Sequence, residues 1–570
     1  MWKKLLAFQL LILLSTPLAV FAQAKQKISL LLFNGKIFTA DAQFSVAEAV
    51  AVDDEKIVEV GKTSDLKAKY QAAREIDLRG KLVTPGFNDA HVHFLRGALA
   101  LLTVNLLDTK SVEEAKARVA AKAKEVKPGE WIFGRGWDHT VWKQSFPSRR
   151  DLDQIAPNNP VYLVRVDGHV AWANSAALKL AGIDRNTPNP AGGEIEKDAQ
   201  GEPTGILKET AQGLVSRLIP QPDQPTLFRG LETALEMARR YGITSVQDNS
   251  GYETTKLYRA FLQQNKLTVR VSEWQDFEDS IETLKAQRDE FASFKDNPSR
   301  LKLGALKGYV DGTLGSKTAA MLAPFSDDAG NSGIPRRPAE ELTRMIVERD
   351  REGFQIALHA IGDRANRMAL DGFAEAQKNF VKSAAPKRGF YAIMPKDNRH
   401  RIEHAQVVNP SDFKRFAELG IIASMQPSHA ISDKRWAESR LGEYRVLGAY
   451  AWHFMQSYGV HVPFGTDFPV EPINPYNTLY AAVSRQDADG DPLGGWQPQE
   501  RLTMAEAIRC HTYESAYAEF SEREKGEIKT GMLADLVVHS KDLLTIEPKE
   551  ILTTEAVLTV FNGRVIYEKK

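Results

Sequence analysis

Two histidines one residue apart, His91 and His93 in DAHVH, are the first groups in the chain whose type and spacing could do chemistry. Side chains alternate along an extended strand, so a spacing of two puts both imidazoles on one side. Further along stand Lys307 in LKLGALKGYVDG, His359 in FQIALHA, His404 in HRIEHAQ and Asp467 in VHVPFGTD. Each lies near the C-terminal end of a short β-rich run. Neutral imidazoles and a carboxylate converging from several strands would bind a divalent cation, with Zn²⁺, Mn²⁺ or Fe²⁺ suited to that donor set. The chain has one cysteine, Cys510, which excludes an intrachain disulfide and a thiolate cage. His400, His453, His461, His511 and His539 belong to no such constellation and read as structural.

The elements that must position these residues repeat a simple unit, a polar-apolar helical stretch ending at a glycine and followed by a buried strand. Leu227–Tyr241 leads through Gly242 to ITSVQD, and Glu340–Glu352 through Gly353 to FQIALHA. Asp412–Leu419 leads through Gly420 to IIASMQP, and Trp452–Tyr458 through Gly459 to VHVPFGTD. Glycine supplies the left-handed residue that closes a helix, and alternation of helix with buried strand implies a parallel sheet. With VTPGFNDAHVH, LTVRVSEW, LKLGALKGYVDG and HRIEHAQ the strands number eight. The expected fold is therefore α/β, a (β/α)₈ TIM barrel over 86–519 with its chemistry at the strands' C-terminal ends. Residues 105–225 are too long for one crossover and are expected to form an inserted, partly helical subdomain over the barrel mouth. Asn34-Gly35 and Asn562-Gly563, each between apolar runs, predict hairpins. They point to a small composite β-sandwich domain built from 27–85 and 520–570.

The chain has 570 residues, 74 basic against 74 acidic, with 43% hydrophobic and 26% charged. That is the composition of a globular chain and excludes a collagenous, disordered or polytopic membrane protein. Zero net charge offers no excess to neutralise phosphates, so no nucleic-acid partner is expected. Lys3 and Lys4, the apolar run Leu5–Leu14, Pro17 and the small residues Ala19, Ala22 and Ala24 read as a signal peptide over 1–24. An uncleaved anchor is the alternative. The expected product is exported, periplasmic, and not inserted stably in a membrane. Its oligomeric state stays open, a homo-oligomer included.

The ordered motifs PGFNDAHVHF, GWD at 136–138, KGYVDGTLGSKTAA, HAIGDRA, RIEHAQ, GTDFPV and KGEIKTGMLADLVV resemble the amidohydrolase superfamily of metal-dependent hydrolases. The resemblance is to its YtcJ-like branch, which includes N-substituted formamide deformylases, and it runs over almost the whole mature chain. It implies that His91 and His93 bind one metal, His359 and His404 a second, and Lys307, carboxylated by carbon dioxide, bridges them. Asp467 would contact the first metal and handle protons. One ion rather than two is the other occupancy seen in the superfamily. Independently, a lysine beside a cation is expected to have its pKa lowered by desolvation, and the neutral amine can then form a carbamate.

Trp137, His169, Asp311 and His429 are candidates for contacting substrate. The run Trp137, His139, Trp142, His169 and Trp172 fits either an aromatic pocket or an ordinary core. The expected activity is hydrolysis of a small-molecule amide or N-acyl (N-formyl) C–N bond. A metal ion would lower the pKa of its water and supply hydroxide, while Asp467 shuttles the proton. The same site could open an ester, lactone or phosphoester, or the chain could be an exported binding protein that inherited the barrel.

Overall fold

The computed structural model describes residues 24–570, except 108, 140, 144, 167, 169, 191, 192 and 384–396. The leader assigned to 1–24 lies, but for Ala24, outside the described residues. Among those described, no helix is long and apolar enough to cross a membrane.

Seven parallel strands follow one another in sequence order around a barrel. They are Phe87–Val92, Ile243–Asp248, Arg270–Asp276, Leu301–Tyr309, Ile356–Ala360, Arg401–His404 and Ile422–Ser424. The eighth position is filled by 461–467, which closes the ring as an extended segment. On one side Ala423 and Met425 donate backbone bonds to His461 and Pro463; on the other, Ala90 donates to Phe464 and Asp467 to the His91 carbonyl. Pro463 has no N–H to offer a ladder, which is why this segment pairs sparsely. Gly465 permits the closure, since a Cβ there would meet the His91 backbone nitrogen at 2.5 Å.

The helices between strands start and stop where their sequences say. Gln224–Tyr241 begins at Asp223, whose side chain accepts from Thr226 N, carries proline in its first turn and ends at left-handed Gly242. Such an N-cap contributes about 1 kcal/mol. Gly353, Gly420 and Gly459 also hold positive φ, at 82°, 64° and 79°.

The barrel interior is polar rather than aliphatic. Arg401 crosses it, donating to Glu403 Oε1 at 2.5 Å, to Ser424 Oγ and Ala90 O at 2.8 Å each, and to Gln247. Its guanidinium lies 4.9 Å from the Trp274 ring centre. At the strands' N-terminal ends, buried Glu519 binds Lys302 at 3.1 Å, Lys525 at 2.7 Å and Asn88 Nδ2 at 2.8 Å. The segment that carries Glu519 also takes Gln355 Nε2 on Ala518 O, so it forms the barrel's floor.

Outside the barrel, Gln26–Phe33, Ala49–Asp53, Lys56–Gly61 and Tyr70–Asp77 form a four-stranded sheet. A six-stranded sheet joins Lys36–Phe38, Val46–Ala47 and Leu82–Pro85 to Leu536–His539, Ala556–Phe561 and Arg564–Glu568. Leu30, Leu32, Val50, Val83, Leu536 and Val560 share one core between them. The two Asn-Gly pairs differ here. Asn562 and Gly563 close a true hairpin, with Phe561 opposite Arg564. Asn34 also holds positive φ, 54°, but the strands on either side belong to different sheets, so Asn34-Gly35 is a corner and the expected hairpin is not formed.

The insertion contains more strand than expected. Six strands between Val104 and Glu209 make a mixed sheet, with helices Val112–Ala123, Arg149–Asp153 and Ser175–Leu180 against it. Along Val161–Arg165 alternation sends Val161 and Leu163 into one apolar cluster and Tyr162 and Val164 into another.

Candidate metal centre

The first barrel strand ends at Val92, and His93 stands at the head of the helix that follows. Both imidazoles nonetheless reach one carboxylate, Asp467. His91 Nε2 and His93 Nε2 lie 3.5 and 3.3 Å from its Oδ1, and His429 Nε2 lies 3.7 Å from its Oδ2. His91, His93 and Asp467 form one group with donor atoms within 4.8 Å of one another; His404, His429 and Asp467 form a second. The two share Asp467. Lys307 Nζ is 3.3 Å from His91 Nε2, and the His359 ring centre is 4.6 Å from that of His404. The residues expected from strands 1, 4, 5, 6 and 8 therefore converge, and His429, read from the sequence as a substrate contact, stands among them.

Hydrogen bonds on the far side of three rings set their tautomers. His91 Nδ1 donates to Glu403 Oε2 at 2.5 Å, His93 Nδ1 to the Asn249 carbonyl at 3.0 Å, and His404 Nδ1 to Gln426 Oε1 at 2.7 Å. Each leaves the Nε2 lone pair facing the centre, the orientation that partners behind a ligating imidazole impose. His359 is turned differently, with Nε2 donating to the Gly312 carbonyl at 3.0 Å. Two of these residues hold left-handed backbone, His404 at φ 73° and Asp467 at φ 56°. For residues with a Cβ that conformation is strained and concentrates at functional sites.

Burial keeps the imidazoles of His91, His359 and His404 neutral. Desolvation, then the Lys307 charge, lowers His91 to about 4 and His359 to about 3. Desolvation and His359 push His404 well below its ordinary value. Burial also lowers Lys307 to about 8. Burial alone would raise Glu403, but Arg401, with His91 and Lys307, holds it down to about 2. Asp467 likewise resists burial, and His91 first among its neighbours keeps it ionised well below the ordinary range.

A divalent cation fits this donor set. Asp467 Oδ1 and His429 Nε2 are buried and make no hydrogen bond; the 3.3 Å approach of His93 to Oδ1 is not aligned as one. A carboxylate ringed by nitrogen lone pairs is completed by a cation, not by another protein donor.

Two of the remaining candidates, Trp137 and Asp311, are buried. Trp137 is buried in the insertion's core, its ring 6.1 and 6.0 Å from those of Trp142 and Trp172 and its Nε1 on Leu163 O; of the two readings of that aromatic run, packing is the one the structure favours. His169 lies outside the described residues. Asp311 is fully buried and accepts from the backbone N–H groups of Ala320, Ile361 and Gly362 at 2.8, 3.0 and 2.8 Å. It ties loops together from behind His359, whose Nε2 lies 3.6 Å from its Oδ1. His400, His461, His511 and His539 bond to Asp350, Glu514, Asn88 O and Thr84. Glu403, Arg401 and Gln426 were not foreseen. Arg401 and Glu403 stand two apart on a buried strand and so share its inner face, a signal that period-two reading could have used.

An amidohydrolase family model matches residues 74–567. YtcJ of Bacillus subtilis is 32% identical over 94% of this chain and 99% of its own. N-substituted formamide deformylase of Arthrobacter pascens is 28% identical over 95% and 99%. Among solved structures, an uncharacterized metal-dependent hydrolase from Pyrococcus horikoshii superposes with a TM-score of 0.73 and 27% identity, covering 91% of this chain and 99% of that one.

Proposed function

The chain belongs to the amidohydrolase family, in its YtcJ-like branch, and from its centre we propose that this hydrolase of non-peptide C–N bonds cleaves amide, N-acyl or N-formyl linkages of small molecules. The observation that carries the reading is the convergence of His91, His93, His404 and His429 on Asp467, with two of those buried donor atoms unbonded. His91, His93 and Asp467 would hold one divalent cation, and His404 and His429 with Asp467 a second, His429 taking the place expected of His359, whose Nε2 is held on the Gly312 carbonyl; zinc is the first choice, manganese or iron the others. Lys307, carboxylated, would bridge the two. When bound, such a cation acidifies a water molecule and polarises the substrate carbonyl.

The chain's own groups supply the proton chemistry. Asp467, ionised and flanked by His93 and His429, takes a proton from the attacking water on its carboxylate. It then returns that proton to the departing nitrogen, which would otherwise leave as a strongly basic anion. Glu403 behind His91, Gln426 behind His404 and the Asn249 carbonyl behind His93 keep the three rings from turning.

Chelator-stripped protein is expected to lose turnover, and Zn²⁺ or Mn²⁺ to restore it on formamides or N-acyl compounds with release of amine. Full activity without metal overturns the reading, as does turnover of lactones or esters alone. Export is proposed with it: the mature protein should begin at Gln23 or Lys25 and fractionate with the periplasm, and recovery of the Met1 form from the cytosol would refute that.

A further inference from the structure

The helix that follows the first barrel strand has a candidate metal ligand where its cap belongs. His93 is the N-cap of Phe94–Leu101, at φ −104° and ψ 72°; its side chain makes no capping bond, and the first turn carries no acidic residue. Helices ordinarily take Ser, Thr, Asp or Asn at that position, to accept an orphan N–H and meet the positive end of the dipole. Here both services come from the neighbouring barrel strand. Asp248, the last residue of Ile243–Asp248, accepts the Phe94 N–H on Oδ1 at 2.7 Å. Asn249, the next residue, donates its N–H to Val92 O at 2.8 Å and accepts from His93 Nδ1 at 3.0 Å. The peptide bonds before and after His93, and its ring, are therefore all held by residues 248 and 249.

Asp248 is itself braced from behind. It is fully buried, and Tyr258 donates to its Oδ2 at 2.6 Å and Ser250 Oγ to its Oδ1 at 2.8 Å. Glu273, also fully buried, stands opposite it in the register of the two strands and takes the Gly251 N–H on Oε1 at 2.7 Å. Its Oε2 meets no donor. Paired positions on adjacent strands turn their side chains to one face, so this oxygen lies against the Asp248 carboxyl. Two acid groups in contact do not both ionise. Burial first, and then the Asp248 charge, push Glu273 well above its ordinary range. Neutral Glu273 donates, and Asp248 keeps its charge at the helix end.

We propose that Asp248, braced by Glu273 and Tyr258, is a positioning residue that locks His93 in its ligating orientation and so sets the affinity of the metal position formed by His91, His93 and Asp467, without touching metal or substrate. The inference rests on the reading of His93 as a ligand and extends it to the strand beside it.

The test is Co²⁺ binding to the metal-free full chain, followed by visible absorption and by competition with a chromophoric chelator, with urea denaturation of the same samples. Asp248→Asn keeps volume and one acceptor oxygen but removes the charge. It should weaken Co²⁺ at one position about 10-fold, within the range for partners that orient a ligating histidine, and leave the His404–His429 position within twofold. In a His93→Ala background the same substitution should cost nothing further, since residues that act through one another are not additive. Glu273→Gln supplies an N–H donor where the neutral acid supplies an O–H, so it should bind Co²⁺ as the wild type does, whereas Glu273→Ala should loosen it. If Asp248→Asn does not fold, Tyr258→Phe, which removes one hydrogen bond from Asp248 Oδ2, takes its place, with a smaller loss at the same position. Lower stability with Co²⁺ affinity within twofold of wild type overturns the proposal, and so does an undiminished loss in the His93→Ala background. Glu273→Gln loosening Co²⁺ as much as Glu273→Ala overturns the shared proton and the bracing with it. If His93→Ala alone leaves Co²⁺ binding unchanged, the ligand reading is what fails, and the proposal falls with it.

Discussion

Replacing Glu403 by glutamine isolates what the buried charge behind His91 does. The substitution keeps volume and one acceptor oxygen, but removes a carboxylate that takes His91 Nδ1 at 2.5 Å on one oxygen and Arg401 Nε at 2.5 Å on the other. A charge-assisted hydrogen bond contributes about 1.5–3 kcal/mol and a neutral one about 1, so the bond to His91 should weaken by about 1–2 kcal/mol. That corresponds to about a 10-fold loss of metal affinity, the lower end of the 10- to 100-fold range for partners that orient a ligating histidine. Stripping the partner from a buried ion costs about 3–5 kcal/mol. Arg401 keeps Ala90 O, Ser424 Oγ and Gln247, which puts the loss of folding stability nearer 3. Zinc affinity would be measured by competition with a chromophoric chelator and stability by urea denaturation. Weaker folding with zinc affinity within twofold of wild type would refute the orienting role and leave Glu403 serving Arg401 alone.

Lys307→Ala should remove most turnover and one metal equivalent per chain, and acetate added with metal should restore part of both; normal turnover with two metals retained would end the bridging carbamate. Glu519 is held down to about 2, against its burial, by Lys302 and Lys525. Its stabilisation is therefore complete above the ordinary 4.5 and lost as pH falls toward 2, so Glu519→Gln should flatten the acid limb of the stability profile in that window. An unchanged limb in urea denaturation at pH 2–5 would show that the barrel floor does not depend on this charge.

The convergence of candidate ligands was legible where residue type and strand position agree: His91, His93, His404 and Asp467 are chemically distinctive and end short β-rich runs, and their donor atoms come together. His429 stands in the group where His359 was expected, because the orientation of the His359 ring depends on the Gly312 carbonyl, which no local pattern announces. Glu403 and Gln426 carry no such mark, since what makes them matter is a ring on another strand. Asn34-Gly35 shows the same limit in the backbone. The pair announces positive φ, which is local, and says nothing about whether the chain returns to its own sheet, which depends on residues hundreds of positions away. The insertion's sheet is not legible in the sequence, because its strands are short and its tryptophans fit either a pocket lining or a core. Once VYLVR and VAWA pair, those aromatics have a sheet face to cover.

The joining of both chain ends in one sheet sets a clock on synthesis. Leu82–Pro85 pairs with Leu536–His539, so one of its edges waits for about 450 further residues. At roughly 5–20 residues per second that is an interval of about 20–90 s. The barrel has no floor either until Glu519 and Lys525 have emerged. Throughout that interval an apolar strand edge and a cluster of buried charges stand open to whatever the nascent chain meets, an exposure that edge strands in finished proteins are built to avoid. Holding the ends apart until the last strand arrives is thus a task for the surroundings of the growing chain, and the yield of folded enzyme should respond to translation rate and chaperone supply more than to any single contact in the finished barrel.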